Sequence, residues 1–102
     1  MTTIERIDKT IKMATGIMNN YLMKEDYATA GCQQAYIDGM ETAKIFLEID
    51  PGTAMIVKFM GVYADHVADK KNNEDWFGVA EFQQKIRAFS QVKVWMDEEE
   101  ED

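Results

Sequence analysis

"IDPGTAM", residues 49 to 55, sits at the middle of the chain and decides how the rest is read. Pro51 disfavours a helical conformation at Asp50, Gly52 permits a turn, and Thr53 is placed to cap a helix that follows. Pro51 is the only proline among 102 residues. On both sides of it, apolar residues recur at intervals of three and four, the period of an α-helix. The stretch therefore reads as a turn between two helical halves.

The half before the turn holds two helices. From Thr3 to Met23, the residues Ile4, Ile7, Ile11, Ala14, Met18 and Tyr21 fall on one helical face, with Thr3 as the expected cap. Glu5 with Lys9, and Asp8 with Lys12, are expected to pair across one turn on the solvent side. A second helix begins at Glu25 or Asp26, whose charge suits a helix N-terminus, and continues to Ile49. It carries a stripe of small residues, Ala28, Cys32, Ala35, Gly39 and Ala43, beside bulky Tyr36, Met40 and Leu47. Gly31 and Gly39 each cost up to about 1 kcal/mol relative to alanine in a helix interior, and close approach of a neighbouring backbone is the expected compensation.

After the turn, a third helix is expected from Thr53 to Asp69, with Ile56, Phe59, Met60, Tyr63 and Val67 on its main face. "DKKNNED", residues 69 to 75, reads as a polar loop with Asn73 capping a fourth helix, whose buried stripe is Val79, Phe82, Ile86 and Phe89. "QVKVWM", residues 91 to 96, alternates like a strand and equally suits a prolonged helix. These elements predict an all-α, single-domain, up-and-down antiparallel bundle of about four helices over residues 1–96, followed by an acidic C-terminal tail at 97–102. No internal repeat is apparent. The second architecture is an obligate helical dimer, suggested by further apolar rows such as Met13 with Ile17 and Met55 with Val62.

Nineteen acids against 11 bases give a formal charge of −8, and its placement is uneven. Asp97, Glu98, Glu99, Glu100, Glu101 and Asp102 are consecutive, so residues 1–96 hold 13 acids and 11 bases. Such a surface repels phosphate backbones, which argues against direct nucleic-acid binding and in favour of a basic protein partner. "MTTIERIDKT" at the start contains no uninterrupted apolar run, so neither a signal peptide nor a membrane span is expected, and a cytoplasmic location is the default. Cys32 is the only cysteine, which excludes an internal disulfide.

Residues that carry chemistry are sparse. His66 ends an apolar row (Met55, Phe59, Val62) and reads as a half-packed boundary residue without a catalytic partner. Cys32, on the small stripe, reads as a compact apolar residue. One histidine and no Glu-x-x-His exclude the di-metal carboxylate constellation of helical bundles. Asp65 with Asp69, and Asp38 with Glu41, read as solvated pairs, and their convergence inside the fold would be needed for a magnesium-dependent, pyrophosphohydrolase-like enzyme. Glycine-rich phosphate motifs are missing. No enzyme and no cofactor is expected.

The remaining signal is aromatic. Glu74 and Asp75 precede Trp76 and Phe77, while Trp95 and Met96 precede the acid block from Asp97 to Asp102. Aromatic anchors rimmed by acids suit a basic surface, the rings supplying contact area and the carboxylates orientation and association rate. The competing reading has Trp76 fastening a helix start, Trp95 on the core and the tail only aiding solubility. The block should be dispensable for folding, because adjacent carboxylates repel one another and oppose the C-terminal end of the helix dipole.

In size and charge the chain resembles the small acidic proteins that phages use against host nucleic-acid enzymes, anti-CRISPR and anti-restriction inhibitors among them. The resemblance implies an inhibitor that occludes a basic nucleic-acid-binding surface by mimicry. An adaptor bundle, working through apolar self-association or a helix-in-groove contact, is the alternative.

Overall fold

The computed structural model describes residues 1 to 101, the last of them by its backbone alone, so Asp102 and the side chain of Glu101 lie outside the described residues. Four helices account for nearly all of it: α1 (Thr3–Met23), α2 (Tyr27–Ile49), α3 (Ala54–Asn72) and α4 (Trp76–Glu101). No strand occurs among the described residues. The all-α four-helix bundle expected from periodicity is what the chain forms.

The helix ends differ from expectation in ways that matter later. Thr2, not Thr3, caps α1: its hydroxyl accepts from the Glu5 N–H at 3.2 Å while Glu5 accepts from the Thr2 N–H at 3.1 Å. This reciprocal capping box leaves the N–H of Thr3 free for another partner. Asp26 caps α2, accepting from the Thr29 N–H at 3.2 Å. Thr53 makes no capping bond; Asp50 instead accepts from the Gly52 N–H at 3.0 Å and tightens the turn around Pro51. Most of "DKKNNED" is helical, because α3 continues through Asn72; Asn73 then closes α3, and Asp75 caps α4 by accepting from the Gly78 N–H at 3.0 Å. "QVKVWM" is helix throughout. Its alternation is satisfied on a helix because Val92 and Met96 face the core while Val94 faces solvent.

Successive helices run in opposite directions, so α2 and α4 are parallel. They form the centre: Gly39 meets Ala88, where an added Cβ would lie 2.9 Å from the Ala88 Cβ and 3.0 Å from the Lys85 Cα. The close approach expected at both helix-interior glycines thus occurs at Gly39 but not at Gly31, where an added Cβ would meet nothing within 4 Å. α1 packs on α2 with a contact to α4, and α3 packs on α4 with a contact to α2, whereas α1 and α3 do not touch. Contact across one diagonal flattens the bundle to 41 × 33 × 20 Å.

The structure also shows an internal repeat that the sequence did not reveal. Residues of the α1–α2 hairpin recur 49 positions later in the α3–α4 hairpin with the same backbone geometry. Glu25 and Glu74 have φ of 59° and 56°, the two non-glycine residues with positive φ among the described residues. Around them, the N–H groups of Glu25 and Asp26 donate to the Leu22 and Tyr21 carbonyls at 3.1 and 2.9 Å; those of Glu74 and Asp75 donate to Lys71 and Lys70 at the same distances. Ile7 and Ile56, Met40 and Phe89, and Ala43 and Val92 are matched pairs, all fully buried. Gly39 and Ala88 are themselves a matched pair, which places a pseudo-two-fold axis between α2 and α4 and parallel to them. Only seven matched positions keep the same residue, Ile7, Lys9, Glu25, Asp26, Gln34, Ile37 and Lys44 in the first hairpin, too few to show as a pattern.

The core follows this symmetry, with Ile7, Met40, Ala43, Leu47, Ile56, Ala88, Phe89, Val92 and Met96 at its centre. Phe46 and Tyr63 meet Phe89 edge-on at centroid distances of 5.9 and 5.3 Å. Phe59 and Phe82, which the stripes place in the core, are half-buried around it.

Candidate functional site

The residues singled out as a partner surface are split between opposite ends of α4. Glu74, Asp75 and Trp76 stand at its start; Trp95, Met96 and the acids stand at its finish. A helix of 26 residues is about 39 Å long. The two groups therefore cannot form one surface.

At the C-terminal end the acids are built into the fold. Lys93 pairs with Asp97 at 2.8 Å, Arg6 pairs with Glu98 at 2.6 Å, and the free N–H of Thr3 donates to Glu99 at 2.9 Å, joined by the Thr3 hydroxyl. The division at residue 97 between domain and tail has no structural counterpart through Glu101, because α4 is continuous. The reason is antiparallel placement. α1 brings its N-terminus, with unpaired N–H groups and positive dipole end, beside the negative end of α4. Hydrogen bonds from the Thr3 hydroxyl and N–H hold the Glu99 carboxyl below its ordinary value. Met96 is only 6% exposed within the core and Trp95 is half-buried against it, so neither stands out as an anchor. Glu98, Glu99 and Glu100 remain on the surface.

The other end is different. Asp75 caps α4 and lies 3.4 Å from Lys70; the Gly78 N–H first, then Lys70, holds its carboxyl below the ordinary range. Glu74 is exposed at the positive-φ corner. Trp76 is 62% exposed, and next to it Phe77 is 87% exposed. Tyr27, the match of Trp76 in the first hairpin, is 66% exposed.

Between the N-terminal half of α2 and the start of α4 lies an open groove of about 610 Å³. Matched residues face each other across it: Ala28 and Phe77, Gly31 and Ala80, Cys32 and Glu81. Its lining combines small side chains with the rings of Tyr27 and Phe77 and the acids Asp38 and Glu81. In the sequence Phe77 adjoins Trp76, but nothing there joins Tyr27 and the first half of the small stripe to them. The recurrence of Glu-Asp followed by an aromatic residue, at 25–27 and 74–76, was the available signal.

The candidates for chemistry do not converge. His66 is exposed and stacked on Phe82 at 4.8 Å. Cys32 is half-buried in the groove. Asp65 and Asp69 are exposed on α3, Asp38 bonds Gln34 at 2.8 Å and Glu41 is exposed. Among the described residues, no three His, Cys, Asp or Glu side chains are grouped to hold a metal ion, and no helix is long and apolar enough to cross a membrane. Comparison of the chain with protein families, with characterised proteins and with solved structures finds no match.

Proposed function

We propose that this chain is a small, acidic, non-catalytic binding protein whose groove between α2 and α4 receives an apolar side chain or helix from a basic partner surface. One observation carries the reading: Tyr27 and Phe77, both more than half exposed, line a groove together with Ala28, Gly31, Ala35 and Ala80, and Trp76, next to Phe77 in the chain, is more than half exposed as well. Large exposed rings grouped at a concave, acid-rimmed surface are characteristic of interaction sites, and tryptophan and tyrosine are enriched among residues that dominate binding energy. Asp38 and Glu81 in the groove lining, on a chain of charge −8, select a basic partner and speed its approach.

The reading extends to a partner whose basic surface otherwise holds DNA or RNA, which the chain would occlude. Glu98, Glu99 and Glu100, ordered on the far end of α4, supply a second negative surface for such a partner.

The test is affinity capture from the native cell at increasing salt, comparing the natural chain with a Trp76→Ser, Phe77→Ser double variant. A partner retained by the first, lost with the second and released by salt supports the groove. Retention by both removes it. Sedimentation of the purified chain separates a self-associating bundle, which would form dimers that the double variant does not.

A further inference from the structure

A second cleft, of about 250 Å³, lies between α1, α2 and α4, away from the groove. Met13, Ala14 and Ile17 give it an apolar wall. Thr10, Gln33, Tyr36, Gln84 and Arg87 bring polar groups to its edge.

The internal repeat explains why the cleft exists. Thr10, Ala14, Ile17 and Gln33 match Phe59, Tyr63, His66 and Phe82, each 49 positions later. In the second hairpin those four positions carry a row of neighbouring rings: Phe59 lies 6.3 Å from Tyr63, Tyr63 5.8 Å from Phe82, and Phe82 4.8 Å from His66, between centroids. The first hairpin repeats the backbone with side chains that carry no ring. Where the second hairpin carries its row of rings, the first therefore lines a cleft.

Charge narrows what fits there. Arg87 forms no ion pair among the described residues, although the chain holds 19 acids. Its guanidinium is held 6.0 Å from the centre of the Tyr36 ring, at the mouth of the cleft. The side-chain amides of Gln33 and Gln84 make no hydrogen bond within the described protein, in contrast to Gln34, which donates to Asp38. A guanidinium and two amides lining one cleft with an apolar wall suit a carboxylate attached to a ring.

We propose that this cleft binds a small aryl carboxylate, with the ring against Met13, Ala14 and Ile17 and the carboxylate on Arg87. The volume admits a ring with a short acidic arm and is below the usual range for larger ligands. A neutral arene would leave the guanidinium unused, and a simple carboxylate would leave the apolar wall wet. The site is separate from the groove, and its test is independent of any protein partner.

The experiment is a methyl NMR titration of the full chain, observing methionine and isoleucine methyl groups, with phenylacetate, phenylacetamide and acetate as probes. Phenylacetate should shift Met13 and Ile17 saturably, phenylacetamide should bind about tenfold more weakly for loss of the charged hydrogen bonds, and acetate should give no shift. Arg87→Gln, at an exposed position, should bring phenylacetate down to the affinity of phenylacetamide. Ala14→Tyr with Gln33→Phe, which copies the second hairpin, should close the site and abolish all shifts. The proposal is overturned by no change at Met13 and Ile17 at millimolar phenylacetate, by equal affinities for acid and amide, or by an acid preference that survives Arg87→Gln. If the ring-bearing variant does not fold, Arg87→Gln decides alone.

Discussion

Thr3, in the first turn of α1, donates both its backbone N–H and its hydroxyl to the carboxylate of Glu99, near the end of α4. The two residues are 96 positions apart and join the ends of the chain's first and last helices. Through this contact, the run of like charges that should fray a helix becomes the cap of its neighbour.

Truncation after Met96 is expected to lower the melting temperature by several degrees, since it removes the partners of Lys93, Arg6 and Thr3 together. Thr3→Val should reproduce part of the loss, because it deletes the hydroxyl donor and keeps the shape. Thermal melts of the three proteins at low salt measure it. An unchanged midpoint on truncation would mean that the last turns of α4 contribute nothing to the fold.

Acid should expose the same contact. Thr3 lowers the Glu99 carboxyl, and Thr2 does so for Glu5, from an ordinary 4.5. A group whose folded pKa is depressed contributes stability that is present above its unfolded value and lost as pH falls through the folded value. Stability should thus hold from neutral pH to about 4.5 and decline below it, and Thr3→Val should decline less steeply. Denaturation monitored across pH 3–6, about the carboxylate range, checks the sign.

Two glycines of α2 should respond in opposite directions. Gly31→Ala meets open space and should stabilise by about 0.5–1 kcal/mol through helix propensity. Gly39→Ala would put its Cβ 2.9 Å from Ala88 and 3.0 Å from the Lys85 backbone, so α2 and α4 must separate and the fold loses stability. Denaturant unfolding of both variants, with equal slopes, is the measurement.

The hairpin repeat makes a paired prediction. Glu25 and Glu74 occupy the left-handed region after α1 and α3, where glycine is favoured. Glu25→Gly and Glu74→Gly should each stabilise by about 0.5–1 kcal/mol, and by similar amounts. Effects of opposite sign would show that the two corners are not energetically equivalent.

Periodicity made the four helices legible because it is local: Ile7, Met40, Ile56 and Phe89 were each placed on a buried face by neighbours three and four residues away. Pro51 and Gly52 marked the central turn for the same reason. Tertiary structure decided what depends on register between distant segments. It chose Gly39 over Gly31 as the point of helix contact, because only Gly39 lies where the pseudo-two-fold axis brings α4 close. It buried Met96, carried α4 through the acids as far as Glu101 and placed Trp76 and Trp95 toward opposite ends of that helix. It also opened a cleft beside Ala14 and Gln33, whose matched positions Tyr63 and Phe82 carry neighbouring rings. A helix turn is settled by residues within one turn of each other, whereas the neutralisation of Glu98 by Arg6 requires a partner supplied by the fold.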